Sequence, residues 1–185
     1  MEPPTLSDDQ LRLRLPNSGD VPAVFTGCTD PTTTRWLSSL PQPYRREDAE
    51  EFVGQIVPSG WDDGTRWTFA VADLATDKLV GMIGFAEARP DLAQAEVGFW
   101  VGPWARRRGY ATAALRLLCR WGFSACGLAR IEWLAYVGNQ PSWLVAEKVG
   151  FVREGTLRSR VVHRATGERR DVWIASLLPT DLRPS

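Results

Sequence analysis

The chain has 185 residues, 22 of them basic and 22 acidic, so its formal charge cancels. That balance excludes a general nucleic-acid coat protein and an acidic disordered tail, and a 44 % hydrophobic content is ordinary for a soluble globular chain. One domain of this length, here taken as 1–185 with loose ends at 1–9 and 180–185, buries roughly 70 % of its unfolded surface and needs no disulfide or metal. Cys28, Cys119, Cys126 and the single His163 have no metal-ligand spacing. They point to a reducing compartment with the thiols as small core residues. No apolar run in residues 1–20 resembles a secretory signal, and no stretch has the ~18 apolar residues of a membrane span. The expectation is a cytoplasmic protein with neither nucleic acid nor membrane as partner. Nine tryptophans predict an aromatic core, an aromatic-lined pocket, or both.

Leu11, Leu13 and Leu15 alternate with Arg12 and Arg14, predicting a half-buried first strand. A Thr- and Pro-rich loop follows from Asp30 to Pro43. Ala49, Phe52, Val53, Ile56 and Val57 then share one helical face, and Pro58 is expected to stop that helix. Arg66–Asp73 and Leu79–Ala86 read as strands joined by a turn at Ala75–Lys78, and Ala95–Val101 as a third. From Tyr110 the period changes: Ala111, Ala114, Leu115, Leu118 and Gly122 lie on one face of a helix. Arg130–Tyr136 returns to strand. Pro141 and Gly150 bracket a short helix, and Phe151–His163 with Arg170–Leu178 closes as a hairpin around Thr166-Gly167. The order predicts an α/β (α+β) layer with helices on a mixed sheet.

The sharpest local feature is Trp104-Ala105-Arg106-Arg107-Arg108-Gly109-Tyr110-Ala111, between a strand and an amphipathic helix. Gly109 permits positive φ and close backbone approach. Free amides at the first turn of a helix attract anions, and three arginines stand beside them. From these residues alone the segment is either an anion-binding loop or a solvated basic loop with a turn glycine. It is not a P-loop, since no lysine-serine or lysine-threonine pair follows, and the chain has no G-x-G-x-x-G fingerprint.

Arg106-x-x-Gly109-x-Ala111 resembles the R/Q-x-x-G-x-G/A motif of the GNAT acyl-CoA N-acyltransferase superfamily. Glu96–Val101, Asn139-x-x-Ser142 with Glu147-Lys148-x-Gly150-Phe151, and Asp171–Pro179 resemble segments of its RimJ/RimL-like branch, in the same order. The resemblance covers nearly the whole chain and implies a central, largely antiparallel twisted sheet with helices on both faces. Its fourth and fifth strands, here Ala95–Val101 and Arg130–Tyr136, splay apart to admit the pantetheine of acetyl-CoA. It implies contacts to the coenzyme from Trp100, Val101, Arg106, Arg107, Arg108, Gly109, Tyr110, Ala111, Thr112, Asn139 and Ser142, with no metal. The diphosphate would lie on the amides between Arg107 and Thr112.

The implied reaction moves an acetyl group to a primary amine, on a peptide or a small molecule, by direct attack. A lysine-like amine has a pKa of about 10.4, so a base must take its proton. Glu96 is the candidate, sharing a strand face with Gly98 and Trp100; Glu132 or a water chain is the substitute. The tyrosine many members use for the leaving thiolate aligns with Ala146. Ser142 or Tyr136 takes that role. Asn139 holds the pantetheine, closes the turn before Pro141, or both. Trp36, Trp61, Trp67, Trp104 and Trp143 divide between core and pocket, and in this family the loops Thr26–Pro43 and Pro58–Arg66 carry much of the acceptor side. A larger donor such as succinyl-CoA, a catalytically silent acyl-CoA-binding module, and a monomeric or homodimeric state all stay open.

Overall fold

Leu11 and Leu13 are fully buried while Arg12 and Arg14 point the other way, as alternation along a strand demands. The computed structural model describes residues 2–37, 39–163 and 166–183. It places this strand, β2 (Leu11–Arg14), in an eight-stranded sheet with β1 (Leu6–Ser7), β3 (Trp67–Asp73), β4 (Leu79–Arg89), β5 (Gln94–Val101), β6 (Arg130–Tyr136), β7 (Val152–Val162) and β8 (Arg169–Leu177). The spatial order is β1-β2-β3-β4-β5-β6-β8-β7, and every neighbouring pair is antiparallel except β5–β6.

That one parallel seam is short. It runs from Gln94 opposite Arg130 to Val97 opposite Trp133 and then stops. Beyond it β5 pairs only with β4, and β6 only with β8. The two strands part from Gly98 and Leu134 onward, as the splay implied. A break in the register of β4 with β5 between Phe85 and Glu87 leaves Ala86 unpaired beside the seam, a bulge of the kind that re-aims side chains near a site.

Alternation in β3 sends Phe69 and Val71 to one face and Ala70 to the other, so the sheet is covered on both sides. On the first face lie α5 (Tyr110–Ser124), α6 (Gln140–Val149) and α4 (Val57–Asp63). Here Trp61 meets Phe69 edge-on at 5.0 Å, and Trp121 packs on Phe69 and Trp67 at 5.5 and 5.7 Å. On the second face α1 (Val21–Thr29) and α3 (Arg46–Glu51) bury Val24, Cys28 and Ala49 against Ala70 and Met82. Such aromatic pairs contribute about 0.5–1.5 kcal/mol each beyond their buried area.

Pro58 does not end its helix. α3 widens into a π turn over Phe52–Ile56, where the Val57 amide donates to the Phe52 carbonyl, and then continues as α4. Pro58 thereby falls in the first turn of α4, where its missing N–H costs little. Gly64, at φ +73°, ends the helix. The segment expected to be loop from Asp30 contains a further helix, α2 (Pro31–Trp36). Its threonines are poor helix formers, but Pro31 presets φ and the Asp30 carboxylate accepts the Thr33 amide at 2.9 Å. At the expected loose ends, Leu6 pairs with Leu13 and the Arg183 amide bonds the Val149 carbonyl; residues 1, 184 and 185 lie outside the described residues.

Candidate active site

The chain leaves β5 at Val101, makes a short turn over Pro103–Ala105 and enters α5 through Arg106–Gly109. Gly109 has φ +86°, as the loop requires, and Arg107 also takes a left-handed conformation at φ +61°. The Thr112 and Ala113 amides both turn back onto the Gly109 carbonyl at 3.0 and 3.1 Å. The amides of Arg107 through Ala111 have no acceptor among the described residues. Those are the donors free to meet an anion at the positive end of a 15-residue helix. The Thr112 amide, expected to join them, is already used.

The arginines divide. Arg107 is exposed and lines the cleft described below. Arg108 faces a separate hollow, its guanidinium 5.3 Å above the Tyr110 ring. Arg106 turns inward: its Nη2 donates to Asp30 Oδ2 at 2.5 Å and Thr33 Oγ1 at 2.9 Å, and its Nε to the Val101 carbonyl at 3.2 Å. The Tyr110 hydroxyl donates to Asp73 at 2.5 Å and anchors α5 to β3. The side chains of Arg106 and Tyr110 are therefore structural ties, although both border the cleft.

Between the parted strands opens a cleft of about 730 Å³ that reaches both faces of the sheet. Glu96 and Trp100 enter it from the face of α1. Trp133, Asn139 and Ser142 enter from the side of α6. Thr32, Thr33, Trp36 and Leu37 form its outer wall. Val101, Gly109, Ala111 and Thr112 border it at the helix end. Residues 58–66, expected on the acceptor side, contribute nothing among the described residues, because they form α4 and its exit.

Glu87, Glu96 and Glu132 stand in a row across β4, β5 and β6. Glu132 is neutralised, accepting from Arg130 Nε at 3.0 Å and Arg89 Nη2 at 3.4 Å. Arg130 continues into a two-pronged pair with Glu154 at 2.9 and 2.6 Å. Glu96 has no hydrogen bond or ion pair among the described residues. Burial first, then repulsion from Glu87 and Glu132, pushes its carboxyl up to about 7.

Across the gap, the buried Asn139 caps α6, its Oδ1 accepting from the Ser142 amide at 3.4 Å. The Ser142 hydroxyl accepts from the Trp133 indole at 3.1 Å. With one lone pair so occupied, its own proton is free to be donated into the cleft. Tyr136, the other candidate acid, is buried on the opposite face of β6 from Trp133, 6.0 Å from the His163 ring, and does not line the cleft.

Residues 10–152 match the family model described as the acetyltransferase (GNAT) domain. The chain belongs to the GNAT N-acetyltransferase family. It is 30 % identical over 171 residues to the uncharacterized N-acetyltransferase YoaA of Bacillus subtilis (strain 168), covering 92 % of this chain and 95 % of YoaA. Its fold matches that of RimL, the ribosomal L7/L12 alpha-N-protein acetyltransferase solved with coenzyme A, at a TM-score of 0.82 and 19 % identity, with 95 % and 98 % of the two chains covered. It matches spermidine N-acetyltransferase from Vibrio cholerae, solved with CoA and spermine, at a TM-score of 0.78 and 22 % identity, over 94 % and 98 %.

In this GNAT enzyme the structure gathers Glu96, Trp100, Val101, Arg107, Gly109, Ala111, Thr112, Asn139 and Ser142 around one cleft and turns Arg108 away from it. Sequence reading missed Trp133, whose only signal is its place beside Glu132 on a strand that leads into the splay. Of the five tryptophans divided between core and pocket, Trp36 lines the cleft, Trp61, Trp67 and Trp143 are buried, and Trp104 faces the same hollow as Arg108. Cys28 and Cys119 are buried, and burial pushes the Cys28 and Cys126 thiols up to about 11, so neither is a ready nucleophile. Among the described residues no group of three metal-ligating side chains assembles, and no helix is long and apolar enough to cross a membrane.

Proposed function

We propose that this GNAT enzyme transfers acetyl from acetyl-CoA to a primary amine by direct attack in a ternary complex, with Glu96 as base and Ser142 as proton donor to sulfur. The observation that carries the reading is the lone Glu96 carboxyl, unpaired at the point where β5 and β6 part and lining the same cleft as Ser142. The site fits the coenzyme: five free amides at Arg107–Ala111 suit a diphosphate, and the unpaired edge of β5 after Val97 suits an amide-bearing chain laid on as an extra strand. RimL and the spermidine enzyme, each solved with the coenzyme, support the same donor. When bound, acetyl-CoA supplies the thioester carbonyl.

This chain's residues supply the rest. Glu96, ionised above about pH 7, accepts a proton from the acceptor ammonium so that nitrogen can form its bond to the carbonyl carbon. Ser142 Oγ–H, oriented by the Trp133 indole and set at the N-terminal end of α6, donates to the departing sulfur as the C–S bond breaks, and the second proton, shed by the acylated nitrogen, restores the hydroxyl. Asn139 holds the first turn of α6 that carries Ser142. The acceptor is a peptide N-terminus or a small amine entering past Trp36, and the protein acts in the cytoplasm as one domain, monomeric or homodimeric. A thiol-release screen with acetyl-CoA and succinyl-CoA against N-terminal peptides, polyamines and aminoglycosides tests the reading. Acetyl-dependent turnover with at least one amine class is expected; CoA binding without turnover on any amine would make the protein a silent binding module.

A further inference from the structure

Arg106 is the first residue of the loop motif, yet its guanidinium does not face the free amides. It joins the end of β5, through the Val101 carbonyl, to α2, through the Asp30 carboxylate and the Thr33 hydroxyl. Asp30 simultaneously caps α2 by accepting the Thr33 amide and hydroxyl at 2.9 and 3.2 Å. The helix so capped carries Thr32, Thr33 and Trp36 into the cleft wall. No other ion pair among the described residues links α2 to the loop. Although burial works against it, the Asp30 carboxyl is held below the usual carboxylate range by Arg106 and the Thr33 amide, so the pair is charged at neutral pH.

We infer that Arg106 is a positioning residue for the acceptor wall: through Asp30 it makes the placement of α2 depend on the loop that receives the coenzyme diphosphate. The inference rests on the coenzyme reading above and adds to it a coupling between the two halves of the site. Charge-assisted bonds of this kind fix geometry as well as supply energy, and a first ligand that orders the loop then lowers the ordering cost of the second.

Hydrogen–deuterium exchange with CoA as the probe tests this without the natural amine. In the wild type, CoA slows exchange at residues 107–113 and at 31–37. In Asp30→Asn and Arg106→Lys the protection of 107–113 persists and that of 31–37 is lost. With spermidine or an N-terminal peptide as acceptor, whichever turns over, both variants raise the acceptor KM about tenfold while kcat and CoA affinity change less than about threefold. A purely structural role would instead lower the active fraction, reducing kcat at constant KM. Protection of 31–37 that survives both substitutions, or is absent in a wild type whose 107–113 is protected, overturns the coupling. Protection of neither segment by CoA would instead count against the coenzyme reading itself.

Discussion

Glu96 and Glu132 face the same way across the parallel seam of β5 and β6, and only Glu132 is neutralised. Burial first, then repulsion from Glu87 and Glu132, disfavours an ionised Glu96. Arg89 and Arg130 compensate the Glu132 carboxylate, whereas Glu96 has no such partner among the described residues and its carboxyl is pushed up to about 7. The pair thus divides its roles, one carboxylate structural and the other poised to exchange a proton near neutrality.

Replacing Glu96 by glutamine lowers kcat by about 100-fold or more, the scale of a lost general base, and leaves CoA affinity within about twofold. In the wild type kcat/KM rises with pH through a midpoint near 7, because the ionised carboxylate is the active form. In the variant that rise disappears. Stopped assays of thiol release from pH 5 to 9 measure both.

The same carboxyl affects stability, with the opposite sign to Glu154. Glu96 has a folded pKa raised from 4.5 to about 7, so the native state binds more protons between those values and stability falls as pH rises through them. Glu96→Gln is therefore more stable than wild type above pH 7, by up to roughly 3 kcal/mol, and the gain shrinks towards pH 4.5. Glu154, paired with Arg130 and accepting from Ser176, is held down at about 2; its contribution is complete above pH 4.5 and lost as pH falls towards 2. Because Glu154 is exposed, solvent screening limits that pair to about 1 kcal/mol or less. Thermal melts of Glu96→Gln and Glu154→Gln across pH 3 to 8 lie closest to wild type at the acid end and diverge from it in opposite directions towards pH 8, Glu96→Gln upward and Glu154→Gln downward.

Ser142→Ala removes the donor to sulfur and lowers kcat about tenfold to a hundredfold with CoA affinity retained. Trp133→Phe keeps the ring in the core but frees the Ser142 hydroxyl to rotate, and is expected to lose a smaller part of the same factor. A Trp133→Phe, Ser142→Ala double variant no slower than Ser142→Ala alone places both residues on one path.

Local pattern made much of this legible. Alternation located the strands, the change of period marked α5, and one glycine between a strand and a helix marked the loop whose φ of +86° the structure displays. Glu96 was readable as a polar residue on an otherwise small or apolar strand face. What escaped depends on residues far apart in sequence. Arg106 looks like a phosphate ligand until folding brings up Asp30, 76 positions away. Trp133 acquires a role only when α6 sets Ser142 against its indole. Pro58 reads as a stop because the π turn that accommodates it leaves no signature in apolar spacing.

Titration calorimetry of CoA into wild type and Gly109→Val tests the central claim most directly. A Cβ at Gly109 meets nothing closer than Gln10 Oε1 at 3.7 Å, so the substitution strains the left-handed backbone rather than the core. A variant with wild-type circular dichroism and CoA affinity weakened tenfold or more is the predicted result. A folded variant that binds CoA as tightly as wild type would contradict the assignment of the Arg107–Ala111 amides to the coenzyme.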